Sequence, residues 1–133
     1  MADCERNFER EYQMWLLVGA LSGFLVVALG AFGAHALKGT LASYGRDIYE
    51  KAVLYQMFHT AALLAIGILQ RQNAAFAPVG WFFLIGIILF CGSLYVLAIT
   101  GVKWLGAITP LGGLAFLAGW LWLAYLLLRE NNS

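Results

Sequence analysis

The chain alternates between four long apolar runs and short polar connections. The runs cover approximately residues 15–37, 52–69, 78–100 and 105–128, and none contains Asp, Glu, Lys or Arg. Each is close to the roughly 20 residues that an α-helix needs to cross the hydrocarbon core. The runs are continuous, whereas membrane β-strands alternate apolar and polar positions. The sequence therefore predicts an all-α integral membrane protein, a four-helix bundle in up-down antiparallel order.

Composition supports a membrane location. Of the 133 residues, 62% are hydrophobic and 11% are charged, against about 45–50% and 25% in soluble domains. We expect one four-span domain over residues 1–133. The first run is longer than a signal-peptide core, which predicts an uncleaved span although residues 34–36 resemble a cleavage site. Interface tryptophans are expected on one side, namely Trp15, Trp81, Trp120 and Trp122.

Small residues recur within the apolar runs. In lipid, they allow helix backbones to approach closely, and this packing drives association. We expect helix contacts at Gly19, Gly23, Gly30, Gly33, Gly92, Gly112, Gly113 and Gly119. Leu126, in the terminal apolar run, is expected to matter less for packing. Pro110 should start or kink the fourth helix because proline lacks a backbone donor.

The stretch YQMFHTAALL, residues 55–64, places four polar side chains within two helical turns. On an α-helix Tyr55, Gln56, His59 and Thr60 share one wedge of the surface. We call these four residues the polar wedge. An unsatisfied polar group facing lipid would cost on the order of 2 kcal/mol or more. The polar wedge is therefore expected to face the inside of the bundle.

Loop 1 follows the first apolar run and loop 3 follows the third. Because successive spans run in opposite directions, further polar residues come to the leaflet that adjoins these two loops. The predicted polar cluster, a candidate ligand-binding site, comprises His35, Tyr55, Gln56, His59, Thr60, Ser93, Tyr95 and Thr109. Gln56 and His59 are expected to hydrogen-bond to span 1 or span 3, with Ser93 and the His35 region as neighbours. The half of the bundle that lies in the opposite leaflet, away from loops 1 and 3, is expected to be apolar.

Four sequence blocks resemble those of the YgdD/YwdK-type family of small inner-membrane proteins. In chain order they are ALGAFGAHALK, YQMFHTAALL, FCGSLYVLAITG and LGAITPLGGLAFLAGW. The resemblance covers nearly the whole chain from about Trp15 onward. Cys91 stands where the family pattern more often has serine. The resemblance implies a multi-pass protein of the bacterial inner (plasma) membrane, and it implies no mechanism because the family has no established activity.

Two kinds of function fit these observations. The first is a structural or interaction protein, either an accessory to a larger membrane complex or a lipid-contacting bundle. The alternative is a binding or transport module for a small neutral or amphiphilic ligand that enters the polar half from the side of loops 1 and 3. The lack of charged residues in the spans argues against a carboxylate-driven pump or a charge-ringed pore.

Catalysis and cofactor binding are less well supported by the sequence. No set of nucleophile, base and orienting group can be assembled. His35 and His59 would differ in depth by roughly 7–8 Å, which suits axial haem ligands poorly. We expect no enzyme activity, catalytic residue, metal or cofactor. Expected partners are membrane lipid and either further copies of the chain or a larger membrane complex, but no nucleic acid. Orientation is undecided because basic residues divide four against four between the two sides.

Overall fold

The computed structural model describes residues Met1–Ser133 and contains helices without any strand. The α-helices are α1 (Ala2–His35), α2 (Ser43–Gln70), α3 (Ala77–Gly86), α4 (Gly92–Thr100) and α5 (Thr109–Asn131). Four helical stretches are long and apolar enough to cross a membrane: α1, α2, Ala74–Thr100 and Lys103–Asn131. The predicted all-α membrane fold with four long apolar helices is confirmed.

The first two helices extend well beyond their apolar runs. α1 has 34 residues, or about 51 Å at 1.5 Å per residue, whereas the hydrocarbon core is about 30 Å thick. Its charged N-terminal part, which includes an ion pair between Arg6 and Asp3, continues the same helix beyond the apolar run. α2 begins at Ser43, so the charged residues ahead of the second run are also helical.

The third span is interrupted in its middle. A π-helical segment, Ile87–Cys91, separates α3 from α4. Such a segment forms i→i+5 hydrogen bonds and is usually a single-turn insertion in an α-helix. A left-handed Gly101, with φ of 71°, ends α4. A 3-10 turn, Lys103–Ala107, precedes α5, and Pro110 lies in the first turn of α5, where its missing N–H leaves no hydrogen bond unmade.

α2 and the third span form the centre of the bundle. α1 packs along α2, and α5 packs along α3 and the π-helical segment, whereas α1 and α5 make no comparable contact with each other. The apolar window of α2 is 44% buried, against 17% for α1 and 22% for the fourth span. α1 and α5 are therefore the two edge helices, with most of their surface directed toward lipid.

Seven of the eight predicted glycine positions lie at helix contacts, and four of these contacts are very close. A Cβ at Gly112 would overlap the backbone of Phe90, and one at Gly119 would lie 2.7 Å from the Phe83 ring. A Cβ at Gly33 would overlap the Tyr49 ring. At Gly19 it would lie 2.8 Å from the Leu64 side chain, and at Gly23 and Gly30 it would make ordinary contacts of 3.5 and 3.6 Å with Thr60 and Val53.

One predicted packing position, Gly92, differs from expectation. A Cβ at Gly92 would meet no atom within 4 Å, so this position is not a helix contact. Gly92 directly follows the π-helical segment, whose changed hydrogen-bond period alters which face of the helix meets its neighbours. At Gly113 the nearest atom would be 3.8 Å away on the Phe90 side chain, which is ordinary contact. Gly80, which was not predicted, and Gly86, a small residue of the third run, make very close contacts with Trp15 and Phe116.

Three apolar residues are more deeply buried than expected. Trp15 is fully buried, with an edge-to-face contact to Trp81, and the indole N–H of the half-buried Trp120 donates a hydrogen bond to His59 within the protein. Leu126 is only 6% exposed and belongs to the hydrophobic core. The apolar run around Leu126 has no amphipathic pattern, so its sequence does not reveal which face packs against α3.

Candidate functional site

Gln56, in the middle of α2, connects three spans by hydrogen bonds. Its Nε2 donates to the backbone O of Ser22 at 3.4 Å and to the Ser22 Oγ at 3.3 Å. Its Oε1 accepts from the Tyr95 hydroxyl at 2.8 Å. The Ser22 Oγ also lies 2.6 Å from the Thr60 Oγ1. We call Ser22, Gln56, Thr60 and Tyr95 the central network; it joins α1, α2 and α4 using protein groups alone.

His59 connects α2 to α5 on the other side of the polar wedge. Its Nδ1 lies 2.8 Å from the backbone O of Tyr55, and its Nε2 lies 3.0 Å from the Trp120 indole nitrogen. Because a carbonyl only accepts and an indole N–H only donates, these bonds require a neutral ring with its proton on Nδ1. The ring stacks on Phe116 with centroids 3.5 Å apart. Both ring nitrogens are therefore engaged within the protein.

Ser93 and Thr109 form a separate pair that connects α4 to the start of α5. Their hydroxyl oxygens lie 2.7 Å apart, and Ser93 also donates to the backbone O of Phe90 at 3.0 Å. The predicted contact of Ser93 with Gln56 or His59 is therefore not formed. A short connection brings the two hydroxyls together, so they stabilise the corner between spans 3 and 4.

Two members of the predicted cluster lie outside these bonds. His35 is exposed at the last position of α1, and its side chain makes no hydrogen bond. Tyr55 is 41% exposed, and its ring lies against Phe90 and Phe116. The polar wedge divides because Gln56 and Thr60 face α1, whereas Tyr55 and His59 lie about 100° away around the helix and face α5. The eight predicted residues thus form separate groups instead of one cluster.

Two residues of the site, Ser22 and Trp120, are absent from the predicted cluster. Ser22 is the one hydroxyl in the apolar run of α1 and lies on the same face as Gly19, which packs against α2. This combination was an available signal for an interior hydrogen bond. Trp120 carries no such signal, because tryptophan is equally typical of a membrane interface.

Residues 29–113 match a family described as "Protein of unknown function (DUF423)". The match covers more than half of the chain. The chain belongs to this family.

Relatives of this DUF423 chain are named as membrane proteins. A UPF0382 membrane protein of Staphylococcus haemolyticus is 45% identical over 112 residues, which are 84% of this chain and 92% of the relative. The UPF0382 membrane protein YwdK of Bacillus subtilis is 39% identical over 112 residues, 82% of this chain and 91% of the relative. These names confirm the resemblance to the YwdK-type family and state no activity. No solved structure matches the chain at a significant level.

The family match covers only part of the hydrogen-bonded site in the DUF423 chain. It includes Gln56, His59 and Tyr95, together with the Ser93–Thr109 pair. Ser22 lies before the matched residues and Trp120 lies after them. Each half of the polar wedge thus has a partner outside the matched region.

Three main cavities lie at the surface of the DUF423 chain. The largest, of about 810 Å³, is a groove between α2 and α5 lined by Tyr55, Phe58, Phe116 and Trp120, among others; we call it the aromatic groove. Another, of about 380 Å³, lies between the end of α1 and the start of α2, and we call it the loop-1 groove. None of the three is lined by Gln56, Thr60, Ser93 or Tyr95.

Proposed function

We propose that this DUF423 chain is a structural or interaction protein of the bacterial inner membrane, and not an enzyme. Its four apolar helices and the membrane-protein names of its bacterial relatives support the location. In this proposal the protein acts through its outer, lipid-facing helices, and the polar interior holds those helices in register. Candidate partners are further copies of the chain or a larger membrane complex.

The observation that carries this proposal is that the polar side chains of the central network, and His59 with Trp120, satisfy one another. Gln56 uses both ends of its amide, and His59 uses both ring nitrogens. The buried side-chain atoms without a partner, Trp15 Nε1 and Gln70 Oε1, lie outside the central network. A site poised for a ligand would present free donors or acceptors, whereas these side chains are engaged in connecting helices.

The alternative, a polar vestibule for a small neutral or amphiphilic ligand, has weaker support. Its polar members are bonded to each other, and none of Gln56, Thr60, Ser93 and Tyr95 lines a main cavity. The aromatic groove touches only the His59 side of the polar wedge and is lined mostly by hydrophobic side chains. We therefore favour a structural role for the polar interior.

The edge helices supply the surfaces through which such a protein would act. Phe24 on α1 is 72% exposed, and Leu121 on α5 is 73% exposed. Both lie within the apolar runs, where lipid or another membrane helix must cover them. The two edges are separate surfaces because α1 and α5 do not pack along each other.

Site-specific photocrosslinking in bacterial membranes tests this proposal. A benzoylphenylalanine replaces Phe24 in one variant and Leu121 in another, and a third variant carries it at the fully buried Leu63 as the matched control. We expect a protein adduct of discrete mass from at least one outer position. The buried position should give no adduct between two chains. An adduct of twice the chain mass identifies a second copy, and a larger one identifies another protein. Lipid adducts alone at both outer positions would contradict an interaction role.

A further inference from the structure

The loop-1 groove combines basic residues at one end with an apolar floor. Lys38 lies three residues after the end of α1 and Arg46 lies in the first turn of α2, so both are at the end where the helices leave the apolar region. Further along the groove the lining consists of Gly30, Val53 and Met57, among others. We propose that this groove binds one anionic phospholipid, with its phosphate at Lys38 and Arg46 and one acyl chain along the apolar floor.

Charge supports an anionic headgroup. The chain's one ion pair joins Arg6 to Asp3, so neither Lys38 nor Arg46 forms an ion pair with a carboxylate. Glu50, one turn after Arg46, also lines the groove, which leaves the lining with a net charge of +1 from two basic residues and one acidic residue. Basic pockets between membrane helices are typical sites for anionic lipid headgroups.

The shape of the groove favours a lipid over a free phosphate. A Cβ at Gly30 would come within 3.6 Å of Val53, so the missing side chain keeps the floor between α1 and α2 open. Arg46 and Met57 are about three helical turns apart, or roughly 16 Å. One leaflet of hydrocarbon is about 15 Å deep. The apolar part of the groove thus reaches from the headgroup region to about the bilayer midplane.

The Tyr49 hydroxyl, a further possible donor in the groove, is already engaged. The Tyr49 hydroxyl donates to the backbone O of Leu29 at 2.6 Å, which joins α1 to α2 below the basic residues. The Tyr49 ring also fills the space next to Gly33. The two basic side chains are therefore the donors left for a phosphate. This site does not depend on the proposed interaction role of the edge helices.

Native mass spectrometry of the purified chain in detergent tests the proposal. Phosphatidylglycerol, phosphatidylcholine and phosphatidylethanolamine with identical acyl chains are titrated separately, and a fourth titration uses inorganic phosphate. We expect phosphatidylglycerol to bind at least tenfold more tightly than the two zwitterionic lipids. Each basic residue near an anionic membrane surface contributes about 1 kcal/mol of attraction. The double variant K38Q/R46Q should therefore lose about 30-fold in affinity for phosphatidylglycerol.

Two further variants separate this site from general attraction to charge. R10Q/R129Q removes two exposed basic residues at the other end of the bundle, and it should change the affinity for phosphatidylglycerol less than threefold. Gly30→Leu fills the floor while keeping both charges and should weaken binding at least tenfold in protein whose melting temperature shows that it is folded. Equal affinity for all three lipids, equal losses in the two charge variants, or competition by millimolar inorganic phosphate would each overturn the proposal.

Discussion

The indole N–H of Trp120 on α5 donates a hydrogen bond of 3.0 Å to Nε2 of His59 on α2. This bond crosses between two helices whose backbones make little direct contact. The His59 ring fills part of the gap by stacking on Phe116, and Nδ1 is held by the backbone of its own helix. His59, which the sequence alone offers as a candidate ligand-binding residue, thus connects the centre of the bundle to an edge helix.

A double-mutant cycle with His59→Phe and Trp120→Phe measures this connection. His59→Phe keeps an aromatic ring against Phe116 and removes the acceptor, whereas Trp120→Phe removes the donor. We expect a coupling free energy of about 0.6 kcal/mol, and at most about 1.7, as for other hydrogen bonds between membrane helices. Unfolding in mixed detergent micelles provides the measurement. Single-variant effects that simply add would show that the bond contributes nothing.

Gln56→Leu should destabilise the protein more than loss of one hydrogen bond would. The change leaves the Tyr95 hydroxyl without its acceptor and removes the donor to Ser22. We expect a loss of about 1–2 kcal/mol in the free energy of unfolding. Gln72→Leu, at an exposed position after α2, is the matched control and should stay within about 0.5 kcal/mol. Equal losses for the two variants would remove the argument for a structural network.

The fold could be predicted from the sequence because the membrane imposes a simple length rule. A helix must satisfy its own backbone in lipid, so four continuous apolar runs of sufficient length indicate four helices. The interruption at Ile87–Cys91 could not be predicted in this way. Its sequence, IILFC, is as apolar as the rest of the run, and the phase of the helix depends on close contact between Phe90 and Gly112 in another span.

The candidate site was only half predictable. Gln56 and His59 stand out because they are polar residues in an apolar run, and burial of such residues follows from the cost of exposing them to lipid. Their partners depend on how each helix is rotated about its axis. The apolar run of α5 carries no polar stripe that reveals this rotation, so Trp120 could not be connected to the polar wedge, whereas the position of Ser22 on the Gly19 face of α1 was a signal that the prediction did not use.

The two cysteines should differ sharply in reactivity. Cys4 is exposed, whereas Cys91 is only 1% exposed within the third span. Thiolate chemistry requires access to water as well as the charged form. A water-soluble maleimide should therefore add once to the folded chain within minutes and not at all to Cys4→Ser, as measured by intact mass. Rapid labelling of Cys91 in folded Cys4→Ser would contradict the described packing of the third span. Labelling of that variant in denaturing detergent provides the positive control.

Four spans require both chain termini to lie on the same side of the membrane. A single cysteine at Ser133 or at native Cys4 should react with an impermeant maleimide from one side, and a cysteine at Tyr44 should react from the other side. Tyr44 is 69% exposed near the start of α2, and Ser133 is also exposed, so access does not limit either reaction. Each variant lacks the remaining native thiols. Labelling of Cys4 and Ser133→Cys from opposite sides would rule out a four-span topology.

Gly112 and Gly113 are neighbours in the sequence, but substitution by alanine should destabilise the protein at Gly112 and not at Gly113. A Cβ at Gly112 would overlap the backbone of Phe90, which cannot move as a flexible side chain could, so Gly112→Ala forces α5 away from the π-helical segment. We expect it to cost about 1–3 kcal/mol in the free energy of unfolding. Gly113→Ala would place its Cβ 3.8 Å from the Phe90 ring, an ordinary contact, and should be neutral or slightly stabilising.

Melting temperatures in one detergent measure both changes, and Leu121→Ala, on the lipid-facing side of α5, gives the baseline for a change outside the core. If Gly113→Ala lowers the melting temperature as much as Gly112→Ala, the assigned rotation of α5 against Phe90 is wrong.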